Sequence, residues 1–362
     1  MAVFTAIYVI AGGFHATALN DFVQGIIMLI GILAVVFTVL SKAGGFTNAI
    51  SNLNTIADDD GNLNTLGSLF GPHPADLFGV VVLTSLGTWG LPQMIQKFYS
   101  ISDDAAIKRG TIISTVFAVI VSGGCYFLGG FGRLFATTDA ADTSKALINT
   151  LPNGKLEYDA IVPSMLESAL PEFLIGLIVV LVLSASMSTL SSLVMTSSST
   201  LTLDLIKPAL EKRGKAMDEK KQVLVIRIFI AVFLLISVLM AAYKNAYITT
   251  LMSISWGALS GSFLAPFMLG LYSKKITPAA VWACFGFAVI FTIAHTCLFL
   301  LGWFPELTAK VASLPIPITL TSPLNAGAFC MLFGLVLCPI VSALTQKQDD
   351  KSVNKIFACY EA

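Results

Sequence analysis

Residues 181–205 read LVLSASMSTLSSLVMTSSSTLTLDL. The stretch is apolar enough to cross a bilayer, yet it carries hydroxyls at Ser184, Ser186, Ser188, Thr189, Ser191 and Ser192, and six more between Thr196 and Thr202. A span needs about 20 apolar residues, because within hydrocarbon a backbone polar group is satisfied only inside its own helix. One Ser or Thr in such a helix bonds back to its backbone or lets a neighbouring helix approach. A cluster needs another reason. Ser188, Thr189, Ser191 and Ser192 stand at i, i+1, i+3 and i+4, a nearly contiguous patch of neutral oxygens on one side of the helix. Neutral oxygens in a dry, protein-lined place suit a hard monovalent cation such as sodium, whereas several carboxylates favour calcium.

The rest of the chain fits a membrane setting. Of 362 residues, 56% are hydrophobic and 12% charged, with a mean hydropathy of +0.84. Soluble domains carry about 25% charged residues. Eight segments read as spans: 17–41, 76–98, 108–131, 173–203, 222–243, 246–271, 278–301 and 323–344, preceded by a stub at 2–12 too short to cross alone. The fold class expected is an all-α polytopic membrane protein of about eight full spans, with residues 1–345 as one transmembrane domain and 346–362 as a tail. Alternate loops at 13–17, 98–108, 204–221, 272–277 and 345–362 collect most of the lysine and arginine, including Lys347, so this side and the C-terminus are expected in the cytoplasm of a cell-membrane protein. The long insertions at about 42–75 and 132–172 hold Asp58, Asp59, Asp60, Asp139 and Asp142 and are expected outside.

Several function classes drop out. Lys+Arg and Asp+Glu are each 21, so nothing suggests nucleic acid as a partner. Six cysteines without CxxC spacing read as small hydrophobes. His15, His73 and His295 are too scattered for a metal cluster, and no P-loop, dinucleotide, metalloprotease or Ser-His-Asp pattern stands in a credible context. An enzyme is not expected, nor an organic cofactor, nor an obligate protein partner.

Two further places hold polar groups at membrane depth. Asp21, beside Asn20, lies in the first turns of the first full span; it is either an N-terminal cap or an ionisable ligand facing the bundle interior. His15 and the Gly12–Gly13 pair mark a tight turn between the stub and that span. In the second span, LGTWGLPQMIQKFYS at 86–100, Pro92 removes a donor and clashes with the preceding turn, so the helix is kinked or broken there. Broken helices free backbone groups to face a ligand. Thr88, Trp89, Gln93 and Gln96 are then candidate lining groups; the plainer alternative is a kinked span with Trp89 as packing.

Three segments, YVIAGGFHATALNDFVQ at 8–24, LGTWGLPQMIQKFYS at 86–100 and SASMSTLSSLVMTSSSTLTLDL at 184–205, together resemble the sodium:solute symporter family, whose members include bacterial proline, pantothenate, sialic acid and sugar carriers. The resemblance implies a leucine-transporter-like fold of five-plus-five inverted repeats. Onto it, 2–12 maps as the end of core helix four, 17–41 as five, 76–98 as six, 108–131 as seven, 173–203 as eight, 222–243 as nine and 246–271 as ten. Core helices one to three have no counterpart, so the chain is expected to be an N-terminally truncated version of the fold. The family's principal sodium site would fall on the Ala185 carbonyl and the Ser188 and Thr189 hydroxyls, and a second cation site on Asp21, Ser188, Ser191 and Ser192. Where relatives often read Thr-Asp, this chain reads Asn20–Asp21. Thr88 stands where sugar carriers often place a gating aromatic, and Pro92 resembles the proline and small-solute branch. The function implied is sodium-coupled symport of a small organic solute, with proline or a similar amino acid or carboxylate as the lean. Rival readings are an inactive or partial chain of such a transporter, and an uncoupled channel or receptor-like protein. The expected partners are sodium, the solute and the lipid bilayer.

Overall fold

The structure is a computed structural model that describes residues 1–58, 60–99, 101, 103–137, 145–148, 157–242, 248–312, 320–346 and 349–360. Asp59, Asp139, Asp142, Lys347 and the side chain of His15 lie outside the described residues. In chain order the helices are α1 (Ala2–Lys42), α2 (Phe46–Leu53), α3 (Pro74–Gly87), α4 (Pro92–Phe98), α5 (Asp104–Gly130), α6 (Gly132–Phe135), α7 (Ile161–Ala169), α8 (Glu172–Thr200), α9 (Lys207–Glu211), α10 (Glu219–Ala242), α11 (Ile248–Tyr272), α12 (Pro278–His295), α13 (Pro305–Ala312), α14 (Pro323–Leu344) and α15 (Asp350–Phe357). Two-residue strands, β1 (Ala136–Thr137) and β2 (Ala146–Leu147), pair in parallel between α6 and α7. Among the described residues, seven helices are long and apolar enough to cross a membrane, and an eighth span results if the bent pair Pro74–Gly90 and Pro92–Phe98 counts as one.

The chain forms two compact units, Met1–Ser68 with Ile101–Asn245, and Leu69–Ser100 with Ala246–Ala362. In the first, α1 packs along α8 and also touches α5 and α10. Ile32, Val35 and Val39 of α1 bury themselves with Leu128 of α5, Met165 and Ala169 of α7, and Ile178 of α8. Val9 packs with Val194 of α8 and with Ile230 and Leu234 of α10. The expected loop at 13–17 contracts to one non-helical residue, Gly13, at φ 59° and ψ −150°. A side chain there would be strained, so glycine lets two helices meet with no connecting loop. Phe46 of α2 stacks on Phe127 of α5 at 5.9 Å, and Phe127 meets Phe131 edge-on at 4.9 Å, which ties α2 to α5.

The sequence reading ends the eighth-helix segment at 203. The helix instead continues through a π-helical turn, Leu201–Ile206, into α9, giving an unbroken run of 40 residues from Glu172 to Glu211. Asp204 and Lys207 end the apolar window without ending the helix, because both residues are compatible with helical backbone. The run is about 60 Å long at 1.5 Å per residue.

Between α2 and α3, a turn is organised around Asp58. Its Oδ1 accepts the backbone N–H groups of Asn62 at 2.8 Å and Asp60 at 3.0 Å, and its Oδ2 accepts the Thr65 hydroxyl at 2.9 Å. The Asn62 amide, first among these donors, holds the carboxyl below the usual carboxylate range. A lowered value means that the turn's stabilisation is complete above the ordinary carboxylate range and is lost as pH falls through the lowered value. After correction for intrinsic rates, the Asp60 and Asn62 amides should therefore keep their exchange protection at pH 5–8 and lose it in acid, and Asp58→Ala should remove it at every pH. Full protection in Asp58→Ala would refute this role.

In the second unit α11, α12 and α14 pack on one another, with α3 laid on α14 and α11. Leu83, Leu264 and Met331 form one core, and Ala265, Ala280, Cys284 and Cys338 another. Thr277 caps α12 ahead of Pro278, a residue suited to the first helical turn. Polar contacts also tie α3 to its neighbours. Asn325 of α14, fully buried, donates to Asp76 at the start of α3, and the Ser260 hydroxyl of α11 donates to the Gly87 carbonyl at 2.7 Å. His295 Nε2 lies 2.8 Å from the Leu320 carbonyl, which only accepts, so Nε2 carries the hydrogen.

Candidate functional site

The bend in the second span falls where Pro92 predicts it. Helix α3 ends in a 3₁₀ turn, Thr88–Gly90, Leu91 is extended at φ −87° and ψ 118°, and α4 departs at 47°. The cause is local. Pro92 has no N–H to give the Thr88 carbonyl four residues earlier, which receives instead a long 3.4 Å bond from Leu91. The Thr88 hydroxyl donates back to the Ser85 carbonyl at 3.1 Å. Trp89 is 52% exposed rather than packed, Gly90 and Leu91 are buried, and Pro92 and Gln93 are partly covered. The unwound turn thus presents Thr88, Trp89 and Gln93 while Gly90 and Leu91 anchor it. A separate cavity lined by Ser253, Gly257, Phe291, Thr292, His295 and Ala326 has a volume of about 10 Å³, room for one water at most.

In the other unit, the hydroxyl cluster of α8 takes up both sides of its helix. Ser184 and Ser191 are buried, Ser188 and Ser192 partly covered, and Thr189 exposed. The Thr189 hydroxyl donates to the Ala185 carbonyl at 3.1 Å, and the Ser191 hydroxyl to the Ser188 carbonyl at 2.9 Å. The first pair brings together two of the oxygens expected to meet a cation. Hard cations take oxygens at about 2.4 Å, and two such ligands at right angles lie about 3.4 Å apart, so this spacing needs little adjustment.

Asp21 lies eight residues beyond Gly13, inside α1. It is not an N-terminal cap. A buried stripe along α1 runs through Thr17, Gln24, Gly31, Ile32, Val35 and Val39, with Asp21 partly covered on the same face. The helices α1 and α8 are antiparallel here: a Cβ on Gly31 would touch Leu181, while Val35 and Val39 share a cluster with Ile178 and Leu174. Equal steps of 1.5 Å along both helices bring Asp21 level with Ser191, next to Ser192, and Gln24 level with Ser188. Of the four side chains expected at a second cation site, Asp21, Ser191 and Ser192 therefore fall at one level of this helix pair and Ser188 about one turn away.

Sequence reading passed over Gln24. Its burial depends on which face of α1 meets α8, and a helix that is apolar nearly all round does not announce that face. The signal present was its i+3 spacing from Asp21.

The profile of the sodium:solute symporter family matches residues 1–286. The sodium/pantothenate symporter of Escherichia coli K12 is 31% identical over 75% of this chain and 52% of its own length. The high-affinity proline transporter PutP of Bacillus subtilis 168 is 26% identical over 75% of this chain and 53% of its own length. The chain thus spans about half the length of the curated relatives it matches. Among solved structures, a Na+-coupled sialic acid symporter in its substrate-bound outward-open state superposes with a TM-score of 0.64, covering 96% of this chain and 67% of that one at 16% identity. That likeness gives the fold, which is leucine-transporter-like. With most of its length under the family profile and a relative above 30% identity, the chain belongs to the sodium:solute symporter family.

Proposed function

We propose that the chain takes part in sodium-coupled uptake of a small organic solute, with sodium as the coupling ion. The observation that carries this reading is the family match over residues 1–286 combined with the oxygens that α1 and α8 hold at one level. In this reading the Ala185 carbonyl and the Ser188 and Thr189 hydroxyls bind one sodium ion, and Asp21, Ser188, Ser191 and Ser192 a second. The broken second span, at Thr88, Trp89, Pro92 and Gln93, meets the solute. A proline-like amino acid or a small carboxylate fits best, since the relatives include proline and pantothenate symporters and Thr88 leaves no aromatic gate. Residues 1–345 act as the membrane domain and 346–362 as a cytoplasmic tail.

No covalent chemistry is required. Each sodium charge crossing 100 mV contributes roughly 2.3 kcal/mol, which sustains about a fortyfold solute gradient at 1.4 kcal/mol per decade. A second reading, favoured by the half-length match to the relatives, is that these 362 residues supply part of the transporter and complete the cycle only with further helices.

The test is uptake in proteoliposomes under an inward sodium gradient, run in parallel for this chain and an upstream-extended version, with radiolabelled proline, pantothenate and other amino acids and monocarboxylates. Sodium-dependent accumulation by either is the expected result. Accumulation only by the extended version selects the second reading, and sodium-independent uptake by both would end the coupling assignment.

A further inference from the structure

Gln24 is 5% exposed, and its Oε1 has no hydrogen-bond partner among the described residues. Buried carbonyl oxygens are seldom left in that state, and each case calls for an explanation such as an ion or a water. The side chain lies on the stripe of α1 that faces α8, one turn from Asp21 and level with Ser188 by the Gly31–Leu181 register. A hard, neutral, acceptor oxygen therefore lies on the α8-facing stripe of α1 at the axial level of Ser188, within about a turn of Ala185 along the axis. We propose that Gln24 is a further cation ligand, its amide oxygen completing from α1 the sodium site that α8 builds from Ala185, Ser188 and Thr189. This rests on the sodium reading of α8 given above.

The chemistry suits a monovalent ion. An amide oxygen adds a strong dipole without charge, so the ion is dehydrated and held yet can leave again. A carboxylate at the same place would shift preference toward divalent ions. A competing partner stands one turn earlier: the Asn20 Nδ2, also buried and without a hydrogen-bond acceptor among the described residues. An amide pair within α1 would satisfy both atoms with no ion, and the test separates the two.

The chain is purified in detergent and its thermal midpoint followed as sodium replaces choline at constant ionic strength. An ion that binds only the folded protein stabilises it by RT ln(1 + [Na+]/Kd), so the midpoint begins to rise near the dissociation constant, whether or not transport follows. Gln24→Met, which keeps the length and apolar stem, is expected to raise the sodium dissociation constant fitted to this rise about tenfold, the ratio that 1.4 kcal/mol of lost ligation gives, and Gln24→Leu likewise. Gln24→Met is expected to melt no lower than the wild type without sodium, because the buried unpaired oxygen is gone. Asn20→Ala should leave the sodium dissociation constant in place.

An unchanged sodium dissociation constant in both Gln24 variants, with a normal wild-type response, overturns the ligand role and leaves the α8 assignment standing. A shift in Asn20→Ala equal to that of Gln24→Met assigns the oxygen to the amide pair and also overturns it. Absence of any sodium-specific stabilisation in the wild type sinks the α8 assignment together with the proposal.

Discussion

Gly90→Ala should lower the thermal midpoint of the purified chain by several degrees and reduce the recovered folded protein. A Cβ at Gly90 would lie 2.8 Å from the Ser260 Cα and 3.0 Å from both the Leu264 Cβ and the Leu264 backbone nitrogen. These atoms are backbone or next to it and cannot turn aside. The 3₁₀ turn would have to lift off α11, weakening the contacts of Leu91, which is 1% exposed, and the Ser260–Gly87 hydrogen bond beside it. Overpacking of this kind costs about 1–3 kcal/mol. Gly110→Ala is the matched control, since a Cβ there meets nothing within 4 Å and alanine is the better helix former by about 1 kcal/mol. Equal midpoints for Gly90→Ala and the wild type would show that the turn is not seated on α11 as described.

The second large effect is expected from Ser188→Ala combined with Thr189→Ala. In the proposed sodium site two hydroxyl oxygens leave while the Ala185 carbonyl stays. If each oxygen is worth about a tenfold change in affinity, or 1.4 kcal/mol, half-maximal sodium rises about 100-fold. The loss should fall on sodium alone: the order of preference among solutes should not change, because Thr88, Trp89 and Gln93 are intact. The fold should also tolerate the change, since Thr189 is exposed and its hydroxyl only bonds back to its own helix. Sodium titrations of uptake and of thermal stabilisation measure the shift, and an unaltered sodium requirement would remove both residues from the site.

The spans were the most legible part of the chain, because a long apolar run has few alternatives in hydrocarbon. The predicted 278–301 and 323–344 segments correspond to Pro278–Leu300 and Pro323–Leu344. Pro92 marked the bend, whereas the Thr277 cap and Pro278 at the start of α12 were not read from the sequence. Charge misled the reading of α8, where Asp204 and Lys207 looked like a loop although helical backbone tolerates both. The Gly12–Gly13 pair announced a reversal but not that one residue would suffice for it. The short helices Phe46–Leu53 and Ile161–Ala169 sit in insertions read only by their length and acidity, and they exist through long-range packing such as Met165 against α1 and α8. The candidate cation residues were legible as residue types at a spacing. Which of them point inward was not, since Ser191 and Thr189 differ only in the angle at which one helix meets another.

The unbroken run from Glu172 to Glu211 has a mechanical consequence. Hydrocarbon is about 30 Å thick, so a rod of about 60 Å cannot lie within it untilted. Glu211 stands about 35 Å along the axis from Ser188. A tilt of about 10° pivoting near the serines carries that end through about 6 Å. The rod has the geometry of a lever, with the Ser188 and Thr189 hydroxyls near its fulcrum and Lys207 and Glu211 at the tip of its long arm.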